Sequence, residues 1–209
     1  YPHLVRSWNY FPHINAGAAD AERYRQFCLG RAEAFRAEDV KADAFPAGTA
    51  IGTRTGDTLH VVLLSGRRKA RMVENSRQTS AYQYPRRYGP VGPSFARASY
   101  FETDSAQQLF LSGTASIVGS ESCHLDDPAK QLDETLQNIQ VLLGNSSTQA
   151  EGALASPLLR VYLRHAQDTT AIMSRIRDEF GAGARALFFH GDICRAELSI
   201  EIEGVFWSK

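Results

Sequence analysis

One strand pattern occurs twice in this chain, 139 residues apart. Leu59 falls on Leu198, Gly52 on Gly191, Val61 on Ile200 and Leu63 on Ile202, so the register holds over a whole pair of strands. In the later copy Leu198, Ile200 and Ile202 alternate with Ser199, Glu201 and Glu203, the period of a strand that packs one face on a core. Two carboxylates share its other face. Upstream, the run Phe188-Phe189-His190-Gly191-Asp192-Ile193-Cys194-Arg195 reads as a strand and turn, which sets a thiol, a histidine and a further carboxylate nearby. In the earlier copy Val62 stands for Glu201 and Thr55 for Cys194. One scaffold is repeated, and only one copy carries polar groups. Two readings of that polar face stay open from these residues, a solvated surface or a place for chemistry.

The elements around each copy follow the same order. Leu4 to Tyr10 alternates like a strand, Pro12 to Gly17 reads as a loop, and a helix capped by Asp20 carries Tyr24, Phe27, Cys28, Arg31, Ala34 and Phe35 at three- and four-residue spacing. Pro46, Gly48 and Gly52 then punctuate the strand pair that ends at Gly66. Near the C-terminus, Leu159 to Arg164 is a strand and Asp168 to Phe180 a helix with Ile172, Ile176 and Phe180 on one face; two strands follow. The second copy has more before it. Leu109 to Gly119 reads as a strand running into small residues, Asp127 caps a helix with Pro128 at its first position and Leu132, Leu136, Ile139 and Leu143 as its stripe, and Gly144 to Pro157 is a loop. The order strand, helix, strand, helix, strand, strand predicts an α+β unit, a mixed sheet with both helices on one face. The first copy is incomplete, because nothing before Tyr1 supplies its opening strands and helix, and the start at Tyr1 without a methionine reads as the later part of a longer protein. The predicted domains are residues 1–80, a connecting segment 81–98, and a complete second unit at 99–209.

Lysine plus arginine and aspartate plus glutamate both total 23, so no net field draws the chain to nucleic acid or an anionic membrane. Cys28, Cys123 and Cys194 lack metal-ligand spacing, which predicts free thiols, no metal and a cytoplasmic setting. No apolar run approaches the ~20 residues of a membrane span. The segment from Ala81 to Ala98 combines Tyr82, Tyr84 and Tyr88 with Arg86, Arg87 and Arg97. Proline stiffening there either holds phenols and guanidiniums for an anionic ligand or merely packs tyrosines between domains.

Three landmarks, Gly89-Pro90 with Ser94 to Ala98, Leu109 to Gly113, and Ile200 to Glu203, resemble the reactive-intermediate deaminase (Rid, YjgF-like) fold, which is also chorismate mutase-like. The fuller set resembles the chorismatases: Val5 to Tyr10, Arg23 to Phe27 with Gly30-Arg31-Ala32, Tyr88-Gly89-Pro90 with Pro93 to Ala98, Ser112 to Gly119, and Gly191 to Arg195. That family is similar to two fused Rid-like units, and here the first unit lacks its first half. The resemblance implies an enzyme that acts on chorismate, a small dianionic substrate, and releases pyruvate without a cofactor.

Releasing pyruvate from an enol ether needs a proton on the terminal methylene carbon, and Glu201 matches the family glutamate for this role. Burial near Glu203 should raise its pKa. Cys194 resembles the cysteine of chorismatases that form a hydroxybenzoate, chiefly the 3-hydroxy isomer with the 4-hydroxy isomer as a second product. The alternative is the hydrolytic outcome, a dihydroxycyclohexadiene carboxylate; more distant are Rid-like imine hydrolysis and a non-catalytic binding module. For substrate binding we expect Arg164 at a carboxylate, with Arg6 as its counterpart in the first copy, Tyr82 and Tyr88 from the stiff segment, and Ala115 and Ser116 in the pocket wall. His124 and His190 read as structural. An exposed sheet edge in the incomplete unit predicts a homo-oligomer.

Overall fold

The computed structural model describes residues 1–147 and 155–208. In chain order the elements are β1 (His3–Pro12), α1 (Arg23–Ala37), β2 (Ala47–Thr53), β3 (His60–Gly66), β4 (Arg71–Val73), β5 (Ala98–Glu102), β6 (Gln107–Thr114), β7 (Ile117–Val118), β8 (Glu121–Ser122), α2 (Pro128–Ser147), β9 (Ala155–Leu163), α3 (Thr169–Phe180), β10 (Arg185–His190) and β11 (Ile200–Trp207). They form a three-stranded sheet, β2-β1-β3, a six-stranded sheet, β10-β9-β11-β6-β5-β4, and the small hairpin β7-β8.

The repeat read from the sequence is a repeat of topology. β1 pairs parallel with β2 and antiparallel with β3, and β9 pairs parallel with β10 and antiparallel with β11. Register also identifies the equivalent residues. Arg6 lies opposite Leu64 and Arg160 opposite Glu203, while Leu64 and Glu203 are themselves repeat partners. Arg6 therefore corresponds to Arg160. The expected pairing of Arg6 with Arg164 is corrected by this ladder, in which Arg164, bonded through its N–H to Ser199 O, takes the place of Tyr10.

One face of the six-stranded sheet is covered by α2 and α3. Ile200 and Ile202 join Leu136, Ile139 and Ile176 in its core, all essentially inaccessible. The caps differ in how far sequence predicts them. Asp168 accepts from the N–H groups of Thr170 and Ala171 at 2.9 and 3.1 Å, and Asp127 from Lys130 N–H at 3.1 Å. Asp20 does not cap α1, which starts at Arg23; its carboxylate is taken by Arg86 instead. The loop expected from Gly144 is the last turn of α2, carried on by Leu142, fully buried against the sheet. Residues 148–154 of that expected loop lie outside the described residues, and 155–157 begin β9.

The other face meets the small sheet. Ala47 N–H and Gly48 N–H each donate at 2.8 Å to the hydroxyls of Ser99 and Ser112, tying edge strand β2 to β5 and β6. Gly52 and Asp192 exchange backbone hydrogen bonds at 2.7 and 2.9 Å. A Cβ at Gly52 would lie 2.6 Å from Ile14 and 2.7 Å from Asp192, so glycine is what lets the two copies close at this corner. The expected break at residue 80 does not coincide with the change of sheet, because β4 already belongs to the larger one. No helix among the described residues is long and apolar enough to cross a membrane.

Candidate active site

Glu201 and Glu203 leave β11 on the same face, turned toward the small sheet, and both are almost inaccessible. Their surroundings separate them. Glu203 is ringed by donors: Arg6, Trp8 Nε1 at 2.7 Å, Arg160 Nη1 at 3.0 Å and Tyr162 OH at 3.0 Å. Burial alone would raise its pKa, but Arg6, Arg160 and Trp8 outweigh that and hold it below the ordinary carboxylate value. Among the described residues no donor reaches the Glu201 carboxyl. Burial pushes it up to about 8, and the charge on Glu203 adds to the rise against smaller opposing effects of Arg6 and Arg164. Two glutamates on one strand thus hold opposite protonation states near neutrality, one a neutral carboxyl and the other a fixed anion.

The Glu201 carboxyl lies over Gly113 of β6, where a Cβ would sit only 2.0 Å from Oε1. It opens into a cavity of about 330 Å³, within the range of small-molecule sites. The wall beside it is a stack of cations and rings. Arg195 sits 3.9 Å over the Tyr88 ring and 5.1 Å from that of Tyr84, with Arg87 5.0 Å from the Tyr88 ring and Arg97 5.4 Å from that of Tyr84. Arg195 Nη1 is held by Ser120 O and Ser122 Oγ at 2.9 and 3.0 Å. With Arg25 from α1, four guanidiniums line the cavity against Glu22 and Glu197, and the neutral form of Glu201 leaves the balance positive. Such a cavity favours an anion.

Cys194 lines the same space, and burial pushes its thiol up to about 12, with Glu201 adding to the shift. It is a thiol near neutrality, shaping the pocket rather than attacking as a thiolate. Tyr24 and Cys28 of α1 lie in a small adjoining recess with Glu201 and Cys194.

The structure brings Glu201, Cys194, Tyr88 and Ala115 to one cavity. Arg164, Tyr82 and Ser116 are elsewhere. Tyr82 packs edge-on against Phe45 with ring centroids 5.8 Å apart. Ser116 is fully buried and donates to Cys123 O at 3.0 Å. The Arg164 guanidinium is spent inside the protein, on Asp192, Asn15 and three carbonyls. Arg6 is closed off beneath Glu203. His124 reaches Glu134 at 3.3 Å and His190 lies exposed on β10, both away from the cavity. Sequence reasoning missed Tyr24, Arg25, Tyr84 and Arg195 as lining residues. Tyr24, Arg25 and Arg195 stand inside motifs already singled out and Tyr84 inside the stiff segment, but only the fold brings residues 24, 84 and 195 to one wall.

Three comparisons bear on this geometry. Residues 1–65 match the family model described as Chorismatase FkbO/Hyg5-like, N-terminal. A 3-hydroxybenzoate synthase of Streptomyces hygroscopicus is 39% identical over 98% of this chain and 64% of its own length, and a chorismatase of Streptomyces rapamycinicus is 38% identical with the same coverage. A solved chorismatase structure, 34% identical, superposes with a TM-score of 0.89 over 99% of this chain and 64% of that one. The chain spans about 64% of the length of the curated relatives it matches.

Proposed function

We propose, on the premise that this chain belongs to the chorismatase family, that its cavity binds chorismate and releases pyruvate, with Glu201 as the acid and a hydroxybenzoate, chiefly 3-hydroxybenzoate, as the other product. The observation that carries the reading is the split between Glu201 and Glu203. A neutral carboxyl, met by no donor among the described residues, faces a cavity whose other charges are mainly guanidinium.

The enol ether is protonated on its terminal methylene carbon by Glu201, and positive charge develops on the carbon bearing the ether oxygen. On the aromatising path the ring C4 hydroxyl adds to this carbon and gives its proton to the Glu201 carboxylate, which restores the acid. The C4–O bond and the ether bond from the C3 oxygen to this carbon then break, the C3 hydrogen leaves as a proton that ends on the C3 oxygen, and pyruvate departs with the C4 oxygen. Atoms balance without water when the ring aromatises: chorismate becomes pyruvate plus hydroxybenzoate. The hydrolytic outcome takes up one water and leaves a diene diol. Arg195, lying over the Tyr88 ring and beside that of Tyr84, and Arg25 are the anchors we assign to the two substrate carboxylates. The Cys194 thiol lies where the ring would stand and keeps bulk water from it.

The test is incubation of the purified chain with chorismate, with pyruvate followed enzymatically and aromatic products resolved by chromatography. Pyruvate with a hydroxybenzoate supports the reading in full, pyruvate with the diol alone removes the role given to Cys194, and a folded chain that yields no pyruvate overturns it.

A further inference from the structure

Arg164 is the most heavily engaged side chain near the cavity, and it touches no cavity surface. Its Nε donates to Leu198 O at 2.9 Å, Nη1 to Asp192 Oδ1 at 2.7 Å, and Nη2 to Ile193 O, Arg195 O and Asn15 Oδ1 at 2.8, 3.1 and 3.1 Å. Three of these acceptors are carbonyls of residues 193–198. That loop runs between β10 and β11 and presents Cys194 and Arg195 to the cavity. Asn15, from the loop between β1 and α1, completes the arrangement by donating through Nδ2 to Ile193 O and Cys194 O at 3.1 and 3.2 Å. The loop has few backbone bonds of its own, Leu198 N–H to Arg195 O being one. Its shape is fixed by side chains reaching in from each copy of the repeat.

We propose that Arg164 is a positioning residue: with Asn15 it holds the Ile193-Cys194-Arg195 loop so that the thiol and the Arg195 guanidinium keep one fixed spacing across the cavity, and this spacing sets which product forms. The inference rests on the chorismatase reading for its product readout. A planar guanidinium suits the task because its donors diverge toward five acceptors at once, whereas an ammonium on a flexible stem would serve two or three. Only one acceptor, Asp192, is an anion, so the group neutralises little charge and works chiefly as a hydrogen-bond hub.

The experiment compares Arg164→Lys and Asn15→Ala with the parent chain in two measurements. The first is iodoacetamide alkylation of each cysteine, mapped by mass spectrometry, which needs no turnover. Cys194 should react about tenfold faster in either variant, as its loop opens, with Cys28 changed less than about twofold. The second is product partition with chorismate: the share of 3-hydroxybenzoate should fall at least about threefold while KM moves less than about threefold. If Arg164→Lys raises KM about a hundredfold with partition and Cys194 reactivity unchanged, Arg164 holds a substrate carboxylate and the proposal is wrong. If the parent chain itself releases no pyruvate, the chorismatase reading fails, and faster Cys194 alkylation in the variants alone still upholds the loop-holding role. Unchanged alkylation in Asn15→Ala, which leaves the buried cation in place, overturns that role even if Arg164→Lys does not fold.

Discussion

Strands β3 and β11 take the same place in the same arrangement, each antiparallel to the strand that opens its copy, yet they live in different solvents. On β11, Ile200 and Ile202 are wholly buried and Glu201 is 4% exposed. On β3, Val61, Val62 and Leu63 are 48%, 52% and 55% exposed. The difference lies in the neighbours. β11 is flanked by β6 as well as β9, with helices behind it and the small sheet in front, whereas β3 pairs with β1 alone among the described strands. Position on the scaffold is therefore not what keeps Glu201 protonated. Enclosure does: Gly113 receives its carboxyl, burial raises its pKa, and Glu203, fixed as an anion by Arg6 and Arg160, keeps it raised.

The sharpest test of that contrast removes the acid. Glu201→Gln keeps shape and burial but has no proton to give, and pyruvate release should fall about 10³-fold or more. The same variant should be the more stable protein at high pH. The folded chain holds a proton on Glu201 up to about 8 that the unfolded chain gives up near the ordinary carboxylate value of 4.5, so the stability linked to this proton is present in acid and lost as pH rises through about 8. Thermal melts should show Glu201→Gln matching the parent at pH 5 and exceeding it at pH 9, by an amount on the order of a few kcal/mol. Equal melting at pH 9 would mean that the carboxyl is not enclosed as described. Gly113→Ala attacks the enclosure itself. A methyl 2.0 Å from Oε1 forces the carboxyl aside by more than ~1 Å, and kcat should drop about a hundredfold with the fold retained.

How much of this was legible beforehand follows from where each cause lies. The 139-residue repeat exposed the topology, because strand pairing preserves register and register is written in the alternation of residues. Asp168 could be read as a cap because its partners are two and three residues away. Asp20 could not, because the group that claims its carboxylate, Arg86, is 66 residues distant. Arg164 was misplaced for the same reason: a cation on a strand end looks available for a ligand until residue 15 and residues 192–198 fold over it. The raised pKa of Glu201 was legible through its carboxylate pair. Its enclosing partners, Gly113 and the Arg6 to Arg160 clamp, come from three other strands, and no local pattern joins them.

Glu203→Gln sharpens the comparison from the anion's side. Glu201 loses the negative neighbour that raises its pKa and feels Arg6 without compensation, and both changes favour its ionised form. If Glu201 is the acid, activity should fall with rising pH as it loses the proton it holds up to about 8, and in the variant that fall should move to lower pH, so that its deficit is about tenfold near pH 8 and shrinks toward pH 5. A pH-independent loss would mean that Glu203 serves only to anchor Arg6 and Trp8. Breaking a buried pair also costs stability, on the order of 3–5 kcal/mol, offset in part because Arg6 keeps Ser7 O and Thr49 Oγ1.

The smallest expected effect tests the other strand. Val62 stands where Glu201 stands, and Val62→Glu installs the acid at the equivalent place of the first copy. With half its surface in water, the new carboxyl keeps an ordinary pKa and is ionised at neutrality, with no proton to deliver and no cavity in front of it. Activity should change less than about twofold, and stability by less than about 0.5 kcal/mol, the usual range for a surface site. The decisive form places Val62→Glu in the Glu201→Gln background, where any pyruvate above that of the single variant is visible against almost none. Recovery there would break the argument, since it would mean that strand position suffices and enclosure does not. No recovery, with the new carboxyl titrating near 4.5 by NMR, would leave burial between two sheets as the difference between a valine strand and one that holds a protonated glutamate.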